Sequence, residues 1–231
     1  MAVVSLEHIA KRSDTGAQIL SDISLDLEPG GFYFLTGASG AGKTALLRII
    51  HLAELPSRGT LTLFGANTAA LDRDARAASR RRIGIVFQDL RLVDTMSAGD
   101  NVGLPLRIAG APEPQIRANV LELLAWVGLA DQAEAPAATL SGSDRRWLAV
   151  ARAIIHRPEL LIADEPTGNV DDETALLLVR AFEQINRLGT TVLIATSDTA
   201  FADRFKHRRF HLDHGMLLSD SGADAGPVPV Q

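Results

Sequence analysis

The 231-residue chain contains no cysteine, which removes disulfide staples, thiolate nucleophiles and cysteine-ligated metals from consideration. The absence fits a reducing compartment, and a chain of this length can bury a full core in one domain, with or without an inserted subdomain. A long apolar run is also missing. The most apolar stretches, such as residues 121–130, reach about ten residues and are interrupted by Glu122, well short of a membrane span. The amino terminus, MAVVSLEHIAKR, carries an early acid and no basic-then-apolar pattern, so neither export nor membrane insertion is expected. Any membrane attachment is expected to come through another protein. Excess positive charge is lacking too: 23 Lys and Arg against 28 Asp and Glu leave a net charge of −5. Such a field repels a phosphate backbone, so no nucleic acid is expected as the main partner.

What is present is a set of short β-rich runs: FYFLT (32–36), TLTLF (60–64), IGIVF (83–87), LLIAD (160–164), TVLIA (191–195) and RFHL (209–212). Helical patterns lie between several of them, at 44–52, 73–82, 113–127, 142–156 and 171–188. Strands alternating with helices predict an α/β core with a largely parallel sheet. Between Phe87 and Pro158 no convincing strand appears, and helical segments there are separated by Gly110-Ala111-Pro112 and Ala135-Pro136. This region, about 89–157, reads as an inserted helical subdomain of a domain covering 1–218. The remainder, 219–231, is small, polar and proline-containing, the composition of a flexible tail.

Two motifs carry chemistry. Gly37-Ala38-Ser39-Gly40-Ala41-Gly42-Lys43-Thr44 follows a strand and opens a helix, the full pattern of a phosphate-binding loop. Glycines let backbone N–H groups turn inward around phosphate oxygens, and the helix N-terminus adds positive potential. In such a loop Lys43 reaches the β and γ phosphates of ATP, and the Thr44 hydroxyl ligates magnesium. The second motif, residues 160–165, is a buried-looking strand ending in two carboxylates, at the sheet edge where ligands of open α/β folds collect. There Asp164 is expected to hold the magnesium shell, and Glu165 to accept a proton from, or orient, the water that attacks the γ-phosphate.

With both halves of one nucleotide site present, the chain from about Val3 to Met216 resembles an ABC-type ATPase subunit. The resemblance implies a P-loop NTPase ABC ATPase fold with an inserted helical subdomain and an N-terminal antiparallel β-subdomain. Further stretches follow in the family's order. Phe87-Gln88-Asp89 resembles the glutamine loop, which implies that Gln88 touches magnesium, takes part in catalysis and signals toward a membrane partner. Leu140-Ser141-Gly142-Ser143-Asp144 resembles the signature loop, so Ser141 and Gly142 are implied to reach the γ-phosphate held by the other subunit of an ATP-bound homodimer. Gly168-Asn169-Val170-Asp171 resembles the loop that lines the dimer seam. Within the family, Ile83-Gly84-Ile85-Val86-Phe87-Gln88-Asp89, Asp100-Asn101-Val102 and Ala163-Asp164-Glu165-Pro166-Thr167-Gly168-Asn169 are most similar to the FtsE family of cell-division ATP-binding proteins. That family works with an integral membrane subunit, an FtsX-like permease, to activate cell-wall hydrolases. It implies a peripheral location on the cytoplasmic face of the inner membrane. Lipoprotein-release and macrolide-export ATPases share several of these stretches.

Three positions depart from the family. The first hairpin, residues 11–18, has no aromatic side chain to stack on adenine, and Ser13 stands near the expected place. Base stacking on an aromatic is typically worth about 1–3 kcal/mol, so adenine selectivity should fall unless Arg12 lays its planar guanidinium on the base; a solvated Arg12 is the alternative. Ser197 replaces a histidine that contacts the γ-phosphate in the family, and it is shorter and never cationic. Ser143 replaces the second glycine of the signature loop, where a β-carbon disturbs close approach to phosphate. ATP binding is therefore expected with slow hydrolysis, or with so little that the chain acts as an ATP-gated scaffold.

Overall fold

The computed structural model describes residues 1–168 and 170–221. Strand β1 (Val4–Arg12) pairs antiparallel with β2 (Gln18–Leu27), and strand β3 (Phe32–Thr36) leads into the glycine-rich loop and helix α1 (Lys43–Ile50). Next come β4 (Arg58–Leu63), β5 (Ala66–Asn67), α2 (Arg73–Arg80) and β6 (Ile83–Val86). Three helices follow, α3 (Ala98–Ile108), α4 (Glu113–Trp126) and α5 (Gly142–Ile154). The chain continues through β7 (Leu160–Asp164), α6 (Asp172–Arg187), β8 (Thr191–Thr196) and α7 (Thr199–Ala202), and ends in β9 (Arg208–Asp213) and β10 (Met216–Asp220).

Ten strands form two sheets among the described residues. A four-stranded antiparallel sheet has the order β2-β1-β4-β5, and a six-stranded sheet has the order β10-β9-β3-β8-β7-β6. In the larger sheet β9, β3, β8, β7 and β6 are parallel, and only the edge strand β10 runs antiparallel. All five residues of β3 and of β7 are buried, as strands covered on both faces must be. Helix α1 lies between the two sheets, where Leu46, Leu47, Ile49 and Ile50 join Leu35, Ile162, Leu193 and Phe210 in one core. Each such fully buried side chain contributes about 1.5–3 kcal/mol by leaving water. On the other face, α6 supplies Leu178, Val179 and Phe182 against Phe34, Ala163 and Ile194.

The helical region has its own core of Val102, Ile116, Val120, Leu124 and Leu148. Helix α5 is shared: Ala149, Val150 and Ala153 face the α/β core, while Leu148, Ala151 and Ile155 face the helical one. Trp147 packs against both cores, whereas Trp126 stands 43 % exposed.

Three details differ from the sequence reading. Strands β1 and β2 escape the search for apolar runs because bulges after Leu6 and Ile9 break their alternation. Helix α3 contains Pro105, a residue that argues against a helix interior; it is tolerated where the Ser97 cap and the buried Asn101 anchor the preceding turn. The end of the chain also differs at its start: Ser219 and Asp220 pair with His211 and Phe210, so β10 reaches past residue 218. The rest of the expected tail, 222–231, lies outside the described residues, as does Asn169.

Candidate active site

Parallel strands β3, β7 and β8 end together, with Thr36 paired to Thr196 and Asp164 to Ala195, so whatever follows each strand is delivered to one edge. After β3 the chain turns sharply. Gly37 has φ 151° and a Cβ there would stand 2.1 Å from the Leu212 carbonyl oxygen; Gly42, at φ 106°, has Leu20 Cδ2 at 2.7 Å. A side chain at Gly37 would displace β9, and one at Gly42 would crowd Leu20 at a left-handed φ that L residues resist. The turn places Lys43 at the helix start, 6 % exposed, its Nζ donating to the carbonyls of Gly37 (2.7 Å) and Ala38 (3.1 Å). Ser39, Gly40 and Ala41 complete the loop, and Ala41 N donates to the Ala38 carbonyl.

The carboxylates arrive from β7. Glu165 Oε1 lies 3.3 Å from Lys43 Nζ, and Glu165 Oε2 accepts a hydrogen bond of 3.0 Å from Ser197 N. The Glu165 backbone has φ 47°, a left-handed conformation that a non-glycine residue keeps only where its surroundings fix it; its own N–H donates to the Ala195 carbonyl at 2.8 Å. Asp164 is buried and accepts from the Thr44 hydroxyl. Burial pushes its carboxyl above the usual carboxylate range, an effect the Thr44 bond partly offsets. Its Oδ1 has no hydrogen-bond partner among the described residues. A buried carboxylate oxygen left bare beside a threonine hydroxyl suits a small hard cation, which takes oxygen ligands.

Lys43, Thr44, Asp164, Glu165 and Ser197 are thus brought together. Gln88 is exposed one residue beyond Phe87, and no hydrogen bond holds its side chain among the described residues. Ser141 and Gly142 do not join the group: Ser141 caps α5, accepting from Asp144 N at 3.1 Å, and both residues are exposed. Within one chain they share no hydrogen bond with the phosphate loop. Ser143, also exposed, is the next residue of that helix. Arg12 is exposed and donates through Nε to Gln18 Oε1 at 3.3 Å. A groove of about 1060 Å³ lined by Trp126, Pro158, Glu159 and Thr190 lies at the opposite ends of the strands, away from this group.

Residues 20–168 match the ABC transporter family. The chain belongs to that family. As an ABC-type ATPase subunit it is 40 % identical to the "Cell division ATP-binding protein FtsE" of Escherichia coli K12, over 95 % of this chain and 99 % of that protein. The protein of the same name from Mycobacterium tuberculosis is 37 % identical over 94 % of this chain and 95 % of its own length. Among solved structures it is similar to a dimeric ATP-binding cassette in a post-hydrolysis state bound to ADP and Pi, with a TM-score of 0.87, 29 % identity, and coverage of 94 % and 97 %. The ABC ATPase fold and the ATP-hydrolysing activity follow from these likenesses together with the assembled site.

Sequence reasoning missed the residues that hold the segment after Gln88. Asn101, fully buried, accepts from Val93 N and donates to the carbonyls of Val93 and Ser97. Two arginines of α5 complete the hold. Arg145 donates to Asp94 Oδ1 (2.7 Å) and the Ala137 carbonyl, and Arg152 to the carbonyls of Leu90 and Arg91. Arg152 reaches carbonyls 61 and 62 residues away and Arg145 a carboxylate 51 residues away, and spacing alone carries no signal for such contacts.

Proposed function

We propose that the chain is the ATP-binding subunit of a membrane-attached complex of the cell-division kind, in which two copies close on ATP and magnesium and turn it over slowly. The observation that carries this reading is the convergence of Lys43, Thr44, Asp164 and Glu165 on one sheet edge, with a bare buried Asp164 oxygen beside Thr44. Thr44, Asp164 and Gln88 would hold magnesium, which neutralises charge on the β and γ phosphates. Lys43 donates to the Gly37 and Ala38 carbonyls and pairs with Glu165. Phosphate oxygens would compete for that ammonium and release Glu165 to face the attacking water. Ser141 and Gly142, exposed at the start of α5, are available to a second copy's nucleotide, and the dimeric cassette bound to ADP and Pi supports such a pairing.

The names of the relatives support a division role, with an FtsX-like membrane subunit as partner and cell-wall hydrolase activation as the output. No helix among the described residues is long and apolar enough to cross a membrane, so attachment at the cytoplasmic face through a partner accounts for the location. A lipoprotein-release or macrolide-export role is the nearest alternative. A second reading, the ATP-gated scaffold with negligible turnover, is favoured by Ser197: charge developing on the γ-phosphoryl group needs donors already in place, and one short hydroxyl stands there. Removing one such donor costs on the order of 10²–10³ in rate in other enzymes. Single-turnover phosphate release from the parent, Ser197→His and Glu165→Gln, with the membrane subunit present, tests both. Slow parent turnover, sped by Ser197→His and lost in Glu165→Gln, is expected. A parent as fast as Ser197→His refutes the donor argument, and a Glu165→Gln variant indistinguishable from the parent favours the scaffold.

A further inference from the structure

The segment after Gln88 carries strain that its own residues do not relieve. Leu90 and Arg91 both adopt left-handed backbone conformations, with φ 57° and 47°, although neither is glycine. L side chains resist this region, and it persists only where neighbouring groups over-determine it. Here the bonds from Leu90 N to the Phe87 carbonyl and from Arg91 N to the Asp89 carbonyl are joined by groups from α5. Arg152 Nη2 donates to the Leu90 carbonyl and Nη1 to the Arg91 carbonyl, each at 2.5 Å, so one planar fork grips the two strained residues in succession. Burial lowers the Arg152 pKa while the Asp89 carboxylate opposes that effect, which places this guanidinium against the same loop. The rest of the loop is closed on itself. The Arg91 guanidinium lies 4.1 Å over the Phe87 ring and pairs with Asp89 at 3.2 Å, leaving the Gln88 side chain exposed between them.

We propose that Arg152 is a positioning residue for catalysis, holding Leu90 and Arg91 in their strained conformation and so fixing where Gln88 stands. The inference rests on the reading of Gln88 as a magnesium ligand. Without the fork, residues 90 and 91 relax to ordinary backbone angles and carry Gln88 away from the metal. Lys43, Thr44, Asp164 and Glu165 share no hydrogen bond with Arg152, so the metal-independent part of nucleotide binding is untouched.

The test uses the full chain as parent, Arg152→Ala, Arg152→Lys, Gln88→Ala and the Gln88→Ala/Arg152→Ala double variant. A fluorescent ATP analogue reports equilibrium binding in EDTA and along a magnesium titration, and single-turnover phosphate release reports the chemistry. Groups that orient a metal ligand typically contribute about 10–100-fold to metal affinity or activity, so Arg152→Ala should raise the half-saturating magnesium concentration by roughly tenfold. Its EDTA affinity should match the parent's. Arg152→Lys, which keeps the charge but not the planar fork, should recover part of the loss, and the double variant should be no worse than Gln88→Ala. Should the alanine variant not fold, Arg152→Lys carries the same comparison. An unchanged magnesium requirement in a destabilised Arg152→Ala overturns the proposal, because the contact is then structural only. Additive losses in the double variant overturn it as well. If Gln88→Ala itself changes nothing, the reading of Gln88 fails and the proposal falls with it.

Discussion

His51 should make the fold acid-labile. It caps α1, its ring edge-on to Phe87 at 5.8 Å, and its Nδ1 is buried with no hydrogen-bond partner among the described residues. Burial, with Arg80 and Arg91 adding positive potential, pushes its pKa from 6.5 down to about 4. The folded chain therefore keeps His51 neutral over a range in which the unfolded chain takes up a proton. Stability from this group is complete above about pH 6.5 and is lost as pH falls toward about 4. The full shift corresponds to about 3 kcal/mol, and about 2 kcal/mol of it is spent by about pH 5. His51→Phe keeps the ring contact, removes the unpartnered nitrogen and cannot titrate. Urea unfolding of parent and variant at pH 7.5 and pH 5.0 gives the comparison, and the parent should lose about 2 kcal/mol more than the variant on acidification. His156, whose pKa burial also lowers, leaves some acid sensitivity in both chains and cancels in the difference. Equal losses in the two proteins would refute the argument, since His51 would then be solvated or partnered in the folded state.

Three further outcomes are expected. Lys43→Ala should abolish most ATP-dependent dimerisation measured by light scattering, and unchanged nucleotide affinity by calorimetry would remove Lys43 from the site. Weak discrimination between ATP and GTP is expected in a competition titration, because the hairpin has no aromatic and phosphate contacts are blind to the base; a strong ATP preference that disappears in Arg12→Ala would make Arg12 the adenine reader. Asn101→Ala should lower stability by about 1–3 kcal/mol in urea unfolding, as it leaves the Val93 N–H unpaired while the Val93 and Ser97 carbonyls keep their bonds from Met96 N and residue 101 N. A loss of only a few tenths would mean that water replaces the amide.

The sequence alone determined the phosphate loop, the two carboxylates after β7 and the alternation of strands with helices. These are local: a glycine turn between a strand and a helix, or acids at a strand end, are encoded by consecutive residues and read without knowing what lies across the sheet. It also exposed the missing hairpin aromatic and Ser197, since a departure from a family pattern needs only a position. Strands β1 and β2 were less legible, because bulges interrupt the two-residue period by which a half-buried strand is recognised. Tertiary structure alone decided which groups meet. It put the Glu165 carboxylate between Lys43 Nζ and Ser197 N, left one Asp164 oxygen bare, and buried His51 beside two arginines. It also turned Arg152, on sequence one more charge along a helix, into the fork that grips two strained carbonyls 61 and 62 residues away. Hydrogen bonds of that kind depend on where the packing of α5 between two cores places the helix, and no spacing along the chain encodes that placement.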